Sequence, residues 1–258
     1  MVFINIEQNE LKQNIYNEKE VIKKEIKEEL EKLKPEIGLK NIKKFKENIT
    51  EMINRPIQIG LMYTLGNAKL PKTTMIINLG TWFNCAGRKE QFCELCKKCY
   101  DKSPEVRFKE RFFGRYNQEI MWRSLPAELI AETIIKELKK HNKVNLIRWA
   151  EVGELRNQND LEKLIKISTI IGETTGIKSY IYTHNKSLDF TSLERPYLTI
   201  NGSGFMIDNE YRVIEKELIE NEFNNLNDLS NKRECICDCT KCSYCSTKQH
   251  YILIEEVR

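Results

Sequence analysis

The sequence has no run of about eighteen apolar residues, the length a membrane-spanning helix needs, so no segment of its 258 residues reads as a span. The first residues, MVFINIEQNELKQN, lack the basic stretch and apolar core of a secretory signal, and none is expected. Excess charge of one sign is also scarce. Lys and Arg number 42 against 38 Asp and Glu, a net of +4, which does not make the chain as a whole a polyanion binder. There is no internal repeat, and no cysteine lies outside two short segments. These absences predict a soluble cytoplasmic protein, in a compartment where thiols stay reduced. Nine clustered cysteines in such a chain read as metal ligands rather than disulfides. Apolar residues make up 40% of the chain, enough to build a sizeable core.

Three segments follow from the pattern. Residues 1–56 form a charged helical extension. Val21, Ile22, Ile26, Leu30 and Leu33 recur at helical spacing until Pro35, and Leu39, Ile42, Phe45, Ile49 and Ile53 do so until Pro56. Mixed-sign charge on both helices predicts solvated faces and apolar stripes docked on the main domain, with an arm that binds a partner protein or nucleic acid as the alternative. Residues 57–230 form an α/β core, and residues 231–258 a cysteine-rich segment with a final strand, Tyr251–Val257. Within the core, Thr74–Leu79 reads as a strand ending at Gly80. Ser124 and Pro126 start a helix over Ala127–Lys140 that buries Leu129, Ile130, Ile134, Ile135 and Leu138. Val144–Val152 is a strand. Asn159 and Glu162 have the spacing of a capping box for a helix over Leu161–Ile171, stopped near Gly172. Ser179–Thr183 and Tyr197–Ile200 are further strands, the latter ending in the turn Asn201-Gly202-Ser203-Gly204. Alternating strands and helices predict a parallel sheet with covering helices, in which ligands bind at the carboxyl ends of the strands.

The first cysteine cluster is Cys85, Cys93, Cys96 and Cys99, spaced C-x7-C-x2-C-x2-C. The second is Cys235, Cys237, Cys239, Cys242 and Cys245, spaced C-x-C-x-C-x2-C-x2-C. Two-residue spacers let successive thiolates turn toward one ion or one cluster, in zinc and iron–sulfur sites alike. Both metals accept four thiolates, and zinc stays open as the alternative. Iron is favoured by the long, irregular outer spacers, by a first cluster that directly follows a strand, and by five thiols within eleven residues in the second.

The stretch GNAKLPKTTMIINLG, the Cys99-Tyr100 pair, the strand RWAEVGE and the segment YIYTHN together resemble the phage gene-product-88-like family. That resemblance spans roughly residues 64–245, with the N-terminal helices outside it. At longer range the family is similar to radical S-adenosylmethionine (SAM) enzymes, which are partial (β/α) barrels. They carry three cysteines in the loop after the first strand and a Gly-Glu pair at the end of the second. The likeness implies Cys85, Cys96 and Cys99 as cluster ligands, with Cys93 either spare or a fourth. Three thiolates leave one iron open to SAM, whereas four close the cluster. It further implies Gly153 and Glu154 at the SAM amino group, and Asn201, Gly202 and Gly204 beside a ribose or carboxylate. Tyr182 and His184 become candidate catalytic groups facing the same mouth. The function implied is a radical-SAM-like enzyme with one catalytic and one auxiliary 4Fe–4S cluster, in the host cytoplasm if phage-encoded. The alternative is a non-enzymatic, metal-stabilised phage protein that binds nucleic acid or a host protein.

Arg107, Lys109, Arg111, Arg115 and Arg123, with Lys97 and Lys98, make the region after the first cluster basic, a candidate contact for an anionic substrate or nucleic acid. Trp82, Phe83, Phe112, Phe113 and Trp122 read as packing rather than a base-stacking platform. His141 follows a lysine-rich helix and complements its dipole. His250 is not assigned as a ligand.

Overall fold

The computed structural model describes residues 2–4, 6, 9–32, 42–93, 99, 102–215, 231–236 and 238–256. Helix α1 (Asn9–Lys32) buries Ile15, Ile22, Ile26 and Leu30, and α2 (Ile42–Asn54) buries Phe45, Ile49, Met52 and Ile53. A fully buried side chain of this kind gains about 1.5–3 kcal/mol on leaving water, so the two stripes drive docking. Val21, expected on the first stripe, is about half exposed. Leu33, Pro35 and Leu39 lie outside the described residues. Both stripes belong to one hydrophobic core shared with the sheet. A two-residue strand β1 (Val2–Phe3) pairs antiparallel with β2 (Gly60–Leu61).

Among the described residues the main sheet has eight strands. In chain order they are β3 (Thr64–Leu65), β4 (Thr74–Ile77), β5 (Leu146–Trp149), β6 (Lys178–Thr183), β7 (Leu198–Ser203), β8 (Asn209–Ile214), β9 (Lys232–Glu234) and β10 (Ile252–Glu256). In space the order is β3-β4-β5-β6-β7-β8-β10-β9, and only β3 runs antiparallel to its neighbour. The helices between strands are α3 (Ala86–Lys89), α4 (Lys102–Arg107), α5 (Lys109–Ser124), α6 (Ala127–Lys140) and α7 (Gln158–Thr175). The expected α/β class with a parallel sheet therefore holds. Ile147 and Trp149 on β5, and Ser179, Ile181 and Thr183 on β6, turn toward the helices; Ser179 Oγ donates to Ser168 Oγ of α7 at 2.9 Å. Alternation then sends Arg148, Tyr180 and Tyr182 to the opposite face.

Parallel neighbours ordinarily need a crossover of a dozen residues, most often a helix; three connections here have no α-helix among their described residues, the first being residues 184–197 between β6 and β7. Residues 204–208 alone join β7 to β8, whose first residue, Asn209, lies level with Asn201. The turn is closed by the backbone bonds Asp208 N–H to Ile200 O (3.1 Å) and Gly204 N–H to Tyr211 O (2.9 Å). The crossover from β9 to β10 is the second cysteine segment itself, with a single 3-10 turn, Tyr244–Ser246, and no α-helix among its described residues.

Helix α6 has the bounds expected from Pro126 and the apolar spacing, although Leu129 is only half-buried. Four expectations are corrected. Strand β5 is shorter than Val144–Val152 because Ala150 adopts φ +49, which ends extended backbone. Helix α7 is capped by Asn157, whose side chain accepts from Asp160 N–H, and not by Asn159. It stops at Gly176 with φ +74. Gly172 lies inside the helix, where a Cβ would fall 2.0 Å from the Tyr197 ring. Finally, β7 runs through Ser203, so Asn201-Gly202-Ser203 is strand, and only Gly204, φ +78, has turn backbone.

Helix α5 escaped the periodicity argument. Every residue from Phe112 to Trp122 is buried, polar ones included, because α1 and α2 cover the side that would otherwise face water. Its polar groups serve the neighbouring chain. Asn117 Oδ1 accepts from Gln58 N–H (3.0 Å), and Gln118 Oε1 from Met62 N–H (2.7 Å).

Candidate metal centres

Cys85 and Cys93 follow β4, at the carboxyl ends of β4, β5 and β6. After β4, Asn78 Oδ1 accepts from Val152 N–H (2.8 Å) and Leu79 N–H donates to Val152 O (3.1 Å), which binds the loops after β4 and β5 together. Gly153, φ +87, lies so close to Gly80 that a Cβ would sit 2.6 Å from the Gly80 nitrogen. This contact delivers Glu154 to the cysteine loop. Glu154 is buried, and its oxygens are already engaged. Oε1 accepts from Leu155 N–H (2.8 Å) and Thr183 Oγ1 (2.7 Å), and Oε2 from His184 N–H (2.9 Å). The carboxylate thus ties the end of β5 to the end of β6.

Cys85 begins α3. Burial pushes its thiol well up, the Glu154 charge adds to this, and backbone N–H groups of Arg88 and Gly87 oppose it. Cys93 comes back over α3, its N–H donating to Gly87 O (3.1 Å); a Cβ on Gly87 would lie 2.9 Å from the Cys93 Cβ. His184 Nδ1 stands 3.7 Å from Glu154 Oε2. Burial alone would lower the imidazole, but side-chain hydrogen bonds with Cys93 and Glu154 hold it at about 9. Cys85, Cys93, Glu154 and His184 therefore meet at one mouth. Cys99 is half-buried against the apolar core nearby, and Cys96 lies outside the described residues.

Helix α1 braces this loop. Asn84 Nδ2 donates to Glu119 Oε1 (2.6 Å) and Glu25 Oε2 (3.1 Å), Lys89 pairs with Glu25 (2.9 Å), and Arg88 with Glu29 (2.7 Å). Arg123 bridges Glu25 and Glu119, each at 2.7 Å. Burial favours a neutral Glu25, yet hydrogen bonds from Arg123, Lys89 and Asn84 hold its carboxyl down at about 2. The expected basic surface is accordingly corrected. Arg115 is buried against Glu105 (2.8 Å), Arg123 is consumed in the network, and Lys109 pairs with Glu51 (2.8 Å). Arg107 and Arg111 are exposed, and Lys97 and Lys98 lie outside the described residues. Trp82, Phe83, Phe112, Phe113 and Trp122 are buried as packing. His141 caps α6 and shares a 2.8 Å hydrogen bond with the Tyr63 hydroxyl; His250 is exposed.

The second cysteines lie against the sheet face away from the helices. The turn that carries Cys245 is fixed by buried polar side chains of the central strands. Asn201 Nδ2 donates to Cys245 O (2.9 Å), Asn209 Nδ2 to Thr247 O (2.8 Å), and Thr199 Oγ1 to Ser246 O (3.2 Å). Cys235 N–H donates to Ile254 O (2.7 Å) and Cys239 N–H to Lys69 O (3.2 Å). Burial first, and then the charges of Cys235, Cys242 and Cys239, push the Cys245 thiol up to about 12, while a hydrogen bond from Tyr182 opposes them. Four cysteines outside any disulfide are thus gathered within electrostatic reach. Cys239, Cys242 and Cys245 line a cavity of about 530 Å3 with Tyr180, Leu70 and Leu146. Cys237 lies outside the described residues. Among the described residues no three His, Cys, Asp or Glu side chains already close around a single point as the ligand set of one ion.

Two expected placements change. Tyr182 does not face the mouth with His184; it is half-buried on the opposite face beside Tyr180, Tyr211 and Arg148, because β6 ends at Thr183 and the chain turns before His184. Asn201 is not a bare turn at which a cofactor could approach. It is buried and bonded to Ile181 O and Cys245 O, and a Cβ on Gly202 would overlap Phe205 O. Gly204 has open space beside it. Asn209, Thr199, Thr183 and Arg148 were not anticipated. Each reads in sequence as an ordinary strand residue, and only sheet pairing reveals what it faces.

No helix among the described residues is long and apolar enough to cross a membrane. No curated protein and no solved structure matches the chain, so neither comparison supports the longer-range likeness to radical SAM enzymes. A family model described as gene product 88 matches residues 34–225. That span takes in α2, which the resemblance had left outside, and ends before the second cysteine segment. With well over half of its length matched, the chain belongs to the gene product 88 family of phage proteins.

Proposed function

We propose that this chain is an iron–sulfur protein that holds one 4Fe–4S cluster on its C-terminal thiols and a second at the mouth of the sheet. The observation that carries the reading is the gathering of four cysteines, Cys235, Cys239, Cys242 and Cys245, against one face of the sheet. Like charges repel, so thiolates crowded in a buried space raise one another until a cation neutralises them. The donor set is all sulfur, which suits iron–sulfur or zinc. Three of the thiols line a cavity that is larger than one ion needs, which favours a cluster. Cys237 is a further thiol for that site.

The mouth is the catalytic candidate, with Cys85, Cys93, Cys96 and Cys99 as its thiols and a radical-SAM-like reaction as the leading reading. When bound, a cluster with an open iron would supply one-electron chemistry on SAM. In this chain Glu154 and Thr183 hold the rim of the mouth, and His184 holds a proton beside Cys93. A second reading, a metal-stabilised protein without SAM chemistry that binds nucleic acid or a host protein, is favoured by the structural use of the Glu154 carboxylate. Its three accepted hydrogen bonds tie it to Leu155, Thr183 and His184.

Anaerobic purification followed by metal and sulfide analysis tests the proposal. Brown protein with about eight irons is the expected result for two 4Fe–4S clusters. Colourless protein carrying zinc ends it. Addition of SAM to the reduced protein separates the two readings of the mouth. A changed EPR spectrum supports an open iron, and an unchanged one supports the second reading.

A further inference from the structure

We infer that Lys69 is a positioning residue of the C-terminal metal site, the tip of a turn that meets the cysteine segment and holds Cys239 in place. The inference rests on the reading of the C-terminal thiols as metal ligands. The turn lies between β3 and β4 and belongs to the stretch GNAKLPKTTMIINLG. Its shape is set locally. Gly66 takes φ +63, and Asn67 Oδ1 accepts from Lys69 N–H and Leu70 N–H, each at 2.8 Å. Asn67 Nδ2 donates to Glu151 Oε1 at 2.6 Å, which ties the turn to the chain just after β5. The tip then makes two contacts far along the sequence. Lys69 O accepts from Cys239 N–H at 3.2 Å. Lys69 Nζ pairs with Glu255 Oε1 of β10 at 2.7 Å, and Oε2 of this buried carboxylate accepts from the Tyr211 hydroxyl.

The consequence is one of order before binding. Cys239 lies in the crossover from β9 to β10, which has no α-helix among its described residues to fix the backbone. Asn201, Asn209 and Thr199 hold the Cys245 end of that crossover. Lys69 holds it at Cys239, and the same residue grips the strand into which the crossover leads. Leu70 and Pro71, beside it, line one cavity with Cys239, Cys242 and Cys245. A ligand whose backbone is fixed in advance loses less freedom when the metal arrives, so groups that fix it raise affinity without touching the metal. Lys72 lies between the same two strands and is exposed, with no ion pair or side-chain hydrogen bond among the described residues. It serves as the matched control.

The test uses the full chain carrying Cys85→Ser and Cys99→Ser, which disables the first site. Anaerobic titration with Co2+ then reads the second site through its thiolate-to-cobalt absorption. Lys69→Met should weaken Co2+ binding by about tenfold, the low end for outer-shell changes. Lys69→Arg, which keeps the cation, should restore the parent affinity, and Lys72→Met should leave it unchanged. Glu255→Gln should match Lys69→Met, and the double variant should bind no more weakly than either alone, since the two residues act as one tie. Circular dichroism of the metal-free chains checks that all fold alike. Should Lys69→Met fail to fold, Asn67→Ser, which loosens the same turn at its base, takes its place with the same expected loss. Parent affinity in that variant overturns the role of Lys69 alone. Equal weakening by Lys72→Met, or no rescue by Lys69→Arg, counts against it as well. A parent chain that binds no Co2+ overturns the metal reading, and this inference with it.

Discussion

Cys85 and Cys245 are both thiols pressed against one sheet and pushed upward by burial, yet charges hold the first in place and amides hold the second. The Cys85 loop is braced by Arg88, Lys89 and Asn84 reaching acidic groups on α1 and α5. The Cys245 turn is braced by Asn201, Asn209 and Thr199, neutral side chains that donate to its backbone. An ion-pair network gains strength from burial but is costly to break, and it responds to pH. Neutral amide bonds are individually modest and indifferent to pH near neutrality. The two sites should therefore fail under different conditions, even though they share a sheet.

The largest expected effect sharpens this contrast. Arg123→Ala leaves Glu119 and Glu25 without their common cation and should cost about 3–5 kcal/mol in chemical denaturation. Reactivity of Cys85 and Cys93 toward a thiol reagent should rise while that of Cys245 does not. Gly87→Ala places a methyl 2.9 Å from the Cys93 Cβ; overpacking of this kind costs about 1–3 kcal/mol. Metal content at the first site should fall, with the second site retained. Asn209→Ala is the reverse experiment. Removing one buried amide costs about 1–3 kcal/mol and should expose Cys245 while Cys85 stays protected. If either variant loosens both sites equally, the separation is wrong. The smallest effect is that of acid. The Glu25 carboxyl titrates at about 2 when folded, against an ordinary 4.5. Its contribution is fully present above pH 4.5 and is lost as pH falls toward 2. Amide exchange in α1 should accelerate across that window before exchange in β7 and β8 does.

Much of this was legible in order but not in facing. Helix α6 could be read to the residue because Pro126 marks its start and one apolar face its length. The strands were found because Ile, Val and Tyr runs sit between polar breaks. Helix α5 could not be read, since it is buried on every side and so carries no period. Cys85, Glu154 and His184 could be read as neighbours, because their place after successive strands is a matter of chain order. Tyr182 and His184 were grouped wrongly because period-two alternation holds only while the strand continues, and β6 ends between them. Asn201 looked like a turn residue by composition, whereas its neighbours across the sheet make it an anchor. Local sequence carries no record of those neighbours.

The crossover between β9 and β10 has a consequence for how the molecule is assembled. Where β4, β5 and β6 are linked through helices that satisfy their own backbone, this link has a single 3-10 turn among its described residues and borrows its order from β7 and β8. The last strand, β10, lies between β8 and β9 and not at the rim. The sheet is thus finished from within: β10 bonds β8 on one side and β9 on the other, and seating it sets the Cys245 turn against the face that bears Tyr180, Tyr182 and Arg148.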